Sequence, residues 1–210
     1  HYGGNSLLVG VIYTVPVVAS SFCAGYAFAR LRARGSKVLF GIIIATMLVP
    51  TFVTLIPLFV MFSRMGITNT FIPWLLWGVA GSAFYIFLFR QFFDAFPVEL
   101  EEAAMLDGLT RWGIIWRIVV PNSYTMIATV TILAFTGVWA EVLLQKVLLN
   151  REAVSTLSVR LSAGITDPTN TVVVIGPTLA AMVLYVLPPV LVFIFFQRFI
   201  LRGITTSGIK

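Results

Sequence analysis

The sequence predicts an all-α, polytopic helical membrane protein, and three observations carry that prediction. Hydrophobic residues make up 59% of the chain and charged ones only 10%, whereas a soluble domain is nearer a quarter charged. The mean hydropathy is +1.00. The apolar residues also gather in five runs, each near the roughly 20 residues of helix that a bilayer core requires. The net charge of +6 does not point to nucleic acid, because the basic residues stand at the ends of apolar runs. That placement orients a protein in a membrane.

The first span is expected over about Asn5 to Ala29. Within it Ser21, Gly25 and Ala29 recur every four residues on one helical face, a spacing that lets two membrane helices approach closely. Either internal packing or an interface with a partner subunit accounts for it. A basic loop follows at Arg30, Arg32, Arg34 and Lys37. The second span, about Val38 to Phe62, is interrupted by Pro50 and Pro57. It reads as one kinked helix, beside a pathway or simply packed. After the polar turn Ser63–Thr70 comes a third span, Phe71 to Phe93, with Trp74 and Trp77 placed to serve an interfacial aromatic belt.

Asp94 to Pro121 then departs from the membrane pattern, holding five of the eight acids in the chain. It reads as two short helices about a glycine hinge. Pro97 suits the first helical position, and Glu99, Glu101 and Glu102 suit the positive end of the helix dipole. Ala103 and Ala104 leave a bare patch that admits another backbone. Gly108 can take the left-handed conformation that ends a helix, and Thr110 can cap the next one, Arg111 to Val120. A charged knuckle with a small-residue tip, held between spans, is a docking surface in prospect.

A fourth span is expected over about Tyr124 to Leu144. Its last part carries Glu141, the one acid within a span. A carboxylate in hydrocarbon costs about 2.5–3.5 kcal/mol on insertion scales, so Glu141 either faces a pathway or lies near enough the outer surface to be hydrated. The polar connection Gln145–Asn170 holds a candidate interfacial helix in Ala153–Gly164. The fifth span, about Thr171 to Phe199, leads to a basic tail. With the Arg30–Lys37 loop, the knuckle and the tail on one side, that side collects ten basic residues against four. The positive-inside bias places the knuckle and the C-terminus in the cytoplasm. The chain begins at His1, directly ahead of a span, which leads us to expect one further helix upstream.

The spacing at the knuckle carries a family resemblance. Glu102-Ala103-Ala104, three residues, Gly108, nine residues and Ile118-Val119-Val120-Pro121 resemble the EAA signature of binding-protein-dependent ABC importer permeases, with Val120 where leucine is commoner. Tyr26-Ala27-Phe28-Ala29-Arg30 and the tail Gly203–Lys210 are similar to the carbohydrate-importer branch, the relatives of the smaller maltose permease subunit. Ala140 departs from the family, which usually has asparagine there, and Ser207-Gly208 stand for its commoner Gly-Ala. The resemblance implies the type I ABC importer transmembrane fold over residues 1–210 as a single permease domain, with 94–121 as its cytoplasmic coupling loop. It implies six spans, of which five are visible here. Glu102 would be the polar anchor on an ATPase, Ala103 and Ala104 the close-packing surface, and Gly108, with Asp107 beside it, the turn that sets the lever's angle.

The implied setting is a bacterial or archaeal inner (cytoplasmic) membrane and a lipid bilayer. The implied partners are a second permease subunit, a dimer of cytoplasmic ATP-binding subunits and an extracytoplasmic solute-binding protein. ATP and Mg would belong to the ATPase, because the chain contains no G-x-x-x-x-G-K-[ST] loop. It is not expected to be an enzyme: His1 is its only histidine and Cys23 its only cysteine, which leaves no nucleophile–base pair and no histidine-based metal site. The substrate class implied is a carbohydrate or related solute. Trp139, Glu141 and Tyr185 are the candidate pathway residues. The alternative reading is an ion-driven secondary transporter with Glu141 as its intramembrane acid.

Overall fold

Helices are the only regular elements among the described residues, as expected of a backbone that must satisfy itself without water. The computed structural model describes residues 1–31, 33–164 and 174–207, with side chains up to residue 200. Arg32, Asp167, the start of the fifth span at 171–173 and the side-chain readings along the tail lie outside them.

The central strut is α1 (Tyr2–Arg30). Around it pack α4 (Ile72–Ala80), α5 (Ala83–Asp94) and α9 (Tyr124–Ala140), with α12 (Ile175–Ser207) laid outside against α9. The small-residue stripe on α1 serves internal packing. Ser21 is fully buried, and a Cβ added at Gly25 would meet the Phe89 Cβ at 2.5 Å and the Arg90 amide at 2.9 Å. Beneath this contact lies a core of Phe22, Phe89, Phe93, Ile114 and Val119, with Phe22 edge-on to Phe93 at 5.1 Å. A second core joins Val9, Phe62, Trp74 and Leu148 at the other end.

Three expected spans differ in continuity. The second is not one kinked helix: α2 (Ser36–Thr46) and α3 (Thr51–Arg64) meet at 95°. The break falls just before Pro50, which takes an extended backbone at φ −63°, ψ 136°, and the residue before a proline is driven out of the helical region. Pro57 lies inside α3. The third span is divided at Gly81-Ser82, where Gly81 has φ +78°. The fourth stops at Ala140 and resumes as α10 (Leu143–Leu148). Counting each bent pair as one span, up to five helices are long and apolar enough to cross a membrane. Their apolar side chains face outward on α2, α3 and α12, with Val38 69% and Phe52 75% exposed. Such surface belongs against lipid or another membrane helix.

The connections sort to opposite ends. At one end Tyr2 donates to Glu152 at 2.8 Å, and Asn5 donates to the Ala153 and Ser155 carbonyls at 3.0 and 2.9 Å. The Leu157 amide there donates to Ser6 at 2.8 Å. The expected interfacial helix is α11 (Leu157–Ala163), preceded by a 3-10 turn at Glu152–Val154. At the other end lie the Arg30 loop and the knuckle. Trp74 is a correction: it is 2% exposed and packed in the second core and forms no belt. Aromatics at a span's start suit either place, and the turn at Ser63–Thr70 folds α3 over this one.

Candidate functional site

Two constellations stand out, one at the C-terminal end of α1 and one beside its middle. The first is the knuckle. Its helix α6 (Val98–Leu106) is capped by Pro97 with an extended backbone, one position earlier than expected. The Gly108 amide donates to the Met105 carbonyl and the Leu109 amide to the Ala104 carbonyl, both at 3.0 Å, closing the helix as a left-handed glycine does. Gly108 has φ +81° with nothing within 4 Å of a built Cβ, so the glycine is needed for its backbone and not for space. Thr110 caps α7 (Arg111–Ile114), accepting from the Gly113 amide at 3.2 Å. Contrary to expectation, the chain does not end its helix at Pro121. It passes through a π-helical turn, Ile115–Val119, into α8 (Val120–Asn122) and then bends by 75° into α9. Carbonyls at the bend are met by side chains: Asn122 donates to Ile118 O at 2.7 Å and Ser123 to Val119 O at 2.6 Å.

α6 has two faces of opposite use. On the inner face Glu101 is 4% exposed. One of its carboxylate oxygens accepts from Arg30 Nε at 2.7 Å and the other from Tyr26 Oη at 2.7 Å. Arg30 Nη2 donates in turn to the Phe96 carbonyl at 2.6 Å. Tyr26 and Arg30 are four residues apart and so share one face of α1. Ala104, 4% exposed, sits in the first core. On the outer face Glu102, Ala103, Asp107 and Gly108 are exposed, around Leu106 at 90% exposure. The two alanines expected to act as one patch therefore divide, with Ala104 packing the chain's own core and Ala103 facing out. Glu101 escaped the sequence reading because its partners lie 71 and 75 positions away.

The second constellation is a cavity of about 370 Å³ bounded by Tyr13, Trp74, Trp77, Ser82, Tyr85 and Glu141 among others. Two chain breaks face each other across it. Gly81-Ser82 divides α4 from α5, and Glu141-Val142, with Glu141 extended at φ −68°, ψ 118°, divides α9 from α10. Non-helical backbone at membrane depth is tolerated only where it is buried in protein or lines a wet cavity. The first break sits against the middle of α1: Ser20 donates to the Gly78 carbonyl at 2.8 Å, and the Ser82 amide donates to Ser21 at 3.2 Å. At the second, Glu141 Oε1 accepts from the Leu144 amide at 3.0 Å, capping α10. Behind it Gln145, 2% exposed, donates to the Val138 carbonyl at 2.6 Å and accepts from Thr156 and Ser158.

The three candidate pathway residues are not brought together. Glu141 lines the cavity. Trp139 and Tyr185 instead bind each other: Trp139 Nε1 donates to the Tyr185 carbonyl and Tyr185 Oη to the Trp139 carbonyl, both at 3.1 Å. These reciprocal bonds staple α9 to α12. Sequence reasoning missed Tyr13, Ser82 and Tyr85; the signal available was the Gly81-Ser82 pair inside an apolar run. Among the described residues no cluster of His, Cys, Asp and Glu is arranged to hold a metal ion.

Comparison with known proteins places this geometry. The family described as "Binding-protein-dependent transport system inner membrane component" matches residues 17–206. The chain is 30% identical over 207 residues to the arabinooligosaccharides transport system permease protein AraQ of Halalkalibacterium halodurans, which covers 99% of this chain and 73% of that protein. It is 34% identical over 205 residues to the lactose transport system permease protein LacG of Rhizobium radiobacter, covering 97% and 73%. Among solved structures, it resembles a chain from a bacterial ABC transporter involved in the import of the acidic polysaccharide alginate, with a TM-score of 0.80, 26% identity and coverage of 94% of this chain and 73% of that one. The chain belongs to the family of binding-protein-dependent transport system inner membrane components, the permeases of such importers.

Proposed function

We propose that this permease forms half of a translocation pathway for a carbohydrate or related solute and couples it, through residues 94–121, to a separate ATPase. The observation that carries the reading is the division of α6: its inner face is fastened to α1 by Glu101, Tyr26, Arg30 and Ala104, while Glu102, Ala103, Leu106 and Asp107 are left outside. A helix held on one side and bare on the other transmits force. The relatives' names add arabinooligosaccharides and lactose as the solutes those proteins carry. In this reading the knuckle and the C-terminus face the cytoplasm, in keeping with the charge count. A second permease subunit completes the pathway, an extracytoplasmic solute-binding protein delivers the solute, and ATP with Mg is bound and hydrolysed by a dimer of ATPase subunits.

The geometry suggests how the parts would act together. Closure of the ATPase dimer around ATP moves α6. The ion pair hands that motion to the end of α1, and α1 carries it along its length to the cavity. Tyr26 and Tyr13 are thirteen residues apart on one continuous helix, about 20 Å at 1.5 Å per residue.

The test is to purify the complete transporter, reconstitute it in vesicles, and compare wild type with a Glu102→Ala, Leu106→Glu variant, changed only on the exposed face. Uptake should follow ATP and ignore an imposed proton gradient, and the variant should lose the ATPase while remaining folded. An ATPase that stays bound to the variant with uptake unchanged refutes the coupling assignment. Uptake driven by the proton gradient returns Glu141 to the role of an intramembrane acid.

A further inference from the structure

We propose that the cavity between the two broken spans is a subsite for an uncharged, polyhydroxylated ligand, a neutral sugar ring, and that it selects against acidic sugars. This deepens the importer reading above and rests on it.

The walls come from three separate parts of the chain: Tyr13 on α1, Trp74, Trp77, Ser82 and Tyr85 on either side of the first break, and Glu141 at the second. Aromatic rings offer flat apolar faces that match the C–H face of a pyranose, with a polar handle at the rim. Here those handles are unused. The hydroxyls of Tyr13, Tyr85 and Ser82 and the indole N–H of Trp77 have no hydrogen-bond partner among the described residues. Some such groups elsewhere in the bundle are taken: Trp139 and Tyr185 satisfy each other, and Ser20 and Ser21 each have a backbone partner, whereas Thr14 Oγ1 is buried without one. Polar groups gathered around a cavity and left unpaired by the protein are groups that a ligand or water must satisfy. A cavity of about 370 Å³ lies within the range of small-molecule pockets.

Charge narrows the ligand class. Glu141 is the only ionisable acid or base of the cavity wall apart from the two phenols, and no Lys, Arg or His lines it. One of its oxygens is engaged in capping α10, while the other has no partner among the described residues. The free oxygen accepts hydrogen bonds from hydroxyls. It disfavours a carboxylate, since like charges at close range repel. The subsite therefore suits a neutral sugar and not a uronate, in contrast with the acidic polysaccharide imported by the solved relative.

The experiment uses the complete transporter, held outward-open with a non-hydrolysable ATP analogue and without the solute-binding protein, so that the affinity measured belongs to the membrane subunits. Maltose, lactose and an alginate disaccharide are titrated by calorimetry. At least one neutral disaccharide should bind and the alginate disaccharide should bind more than tenfold more weakly. Tyr13→Phe and Tyr85→Phe, which remove one hydroxyl each and keep the ring, should each weaken binding by about three- to tenfold. Glu141→Gln should narrow the preference against the acidic sugar. Phe52→Leu, an exposed side chain of α3 outside the cavity, should leave affinity unchanged, and gel filtration of each complex checks assembly. Equal or tighter binding of the alginate disaccharide overturns the charge selection. Binding of neither neutral sugar, or binding that the two tyrosine variants leave untouched, overturns the subsite. ATP-independent uptake by the wild-type vesicles is a different failure, because it sinks the importer reading itself.

Discussion

Replacing Glu101 by alanine tests the fastening of α6 to α1 and separates it from anything done by the neighbouring Glu102. The substitution removes both acceptors, leaving Arg30 and the Tyr26 hydroxyl unpaired where the ion-pair side chains are 16% and 5% exposed. Breaking a buried pair by deleting one partner costs about 3–5 kcal/mol. Here the lower end applies, since Arg30 keeps its 2.6 Å bond to the Phe96 carbonyl and reaches some solvent. A loss of about 3 kcal/mol shifts the docked-to-undocked equilibrium of α6 by roughly 100-fold. Two assays read it. In detergent, the thermal stabilities of Glu101→Ala, Arg30→Ala and the double variant form a cycle in which the double should be little worse than either single, giving a coupling energy of about 2 kcal/mol. In vesicles, solute transported per ATP hydrolysed should fall about tenfold or more in Glu101→Ala, with the ATPase still bound. Glu102→Ala, on the exposed face, should change stability by less than about 0.5 kcal/mol and instead weaken ATPase association. Additive singles, or an unchanged transport-to-ATP ratio in Glu101→Ala, refute the clamp.

Two further predictions concern the frame that holds the site. Gly25→Ala places a methyl 2.5 Å from the Phe89 Cβ and 2.9 Å from the Arg90 amide, neither of which can rotate away. It should force α1 from α5 and lower stability by about 1–3 kcal/mol, read as a fall in the thermal midpoint of the purified complex; an unchanged midpoint means that the two helices are not in this contact. Gln145→Leu removes the amide that serves the Val138 carbonyl and the Thr156 and Ser158 hydroxyls. Leaving these groups unsatisfied should cost about 2–3 kcal/mol and raise hydrogen exchange at 141–158, whereas protection equal to wild type means that the network does not hold the second break in place.

Sequence by itself determined the class, the apolar runs, and the turn chemistry of the knuckle. These are local: a run of apolar residues long enough for a bilayer is read from composition alone, Gly108 carries its left-handed backbone alone, and Thr110 reaches only as far as Gly113. Where a continuous apolar run would be interrupted was not legible, because Gly81-Ser82 and Glu141-Val142 are stable breaks only when Ser20, Ser21, Gln145 and Ser158 sit against them. Tertiary structure alone decided between Glu101 and Glu102. Adjacent helical residues point about 100° apart, and only the position of Tyr26 and Arg30, some seventy residues upstream, turned the first inward and left the second free. It likewise drew Trp74 into a core and paired Trp139 with Tyr185. An aromatic or a carboxylate does not carry its role in its identity; the helices that pack around it supply that role.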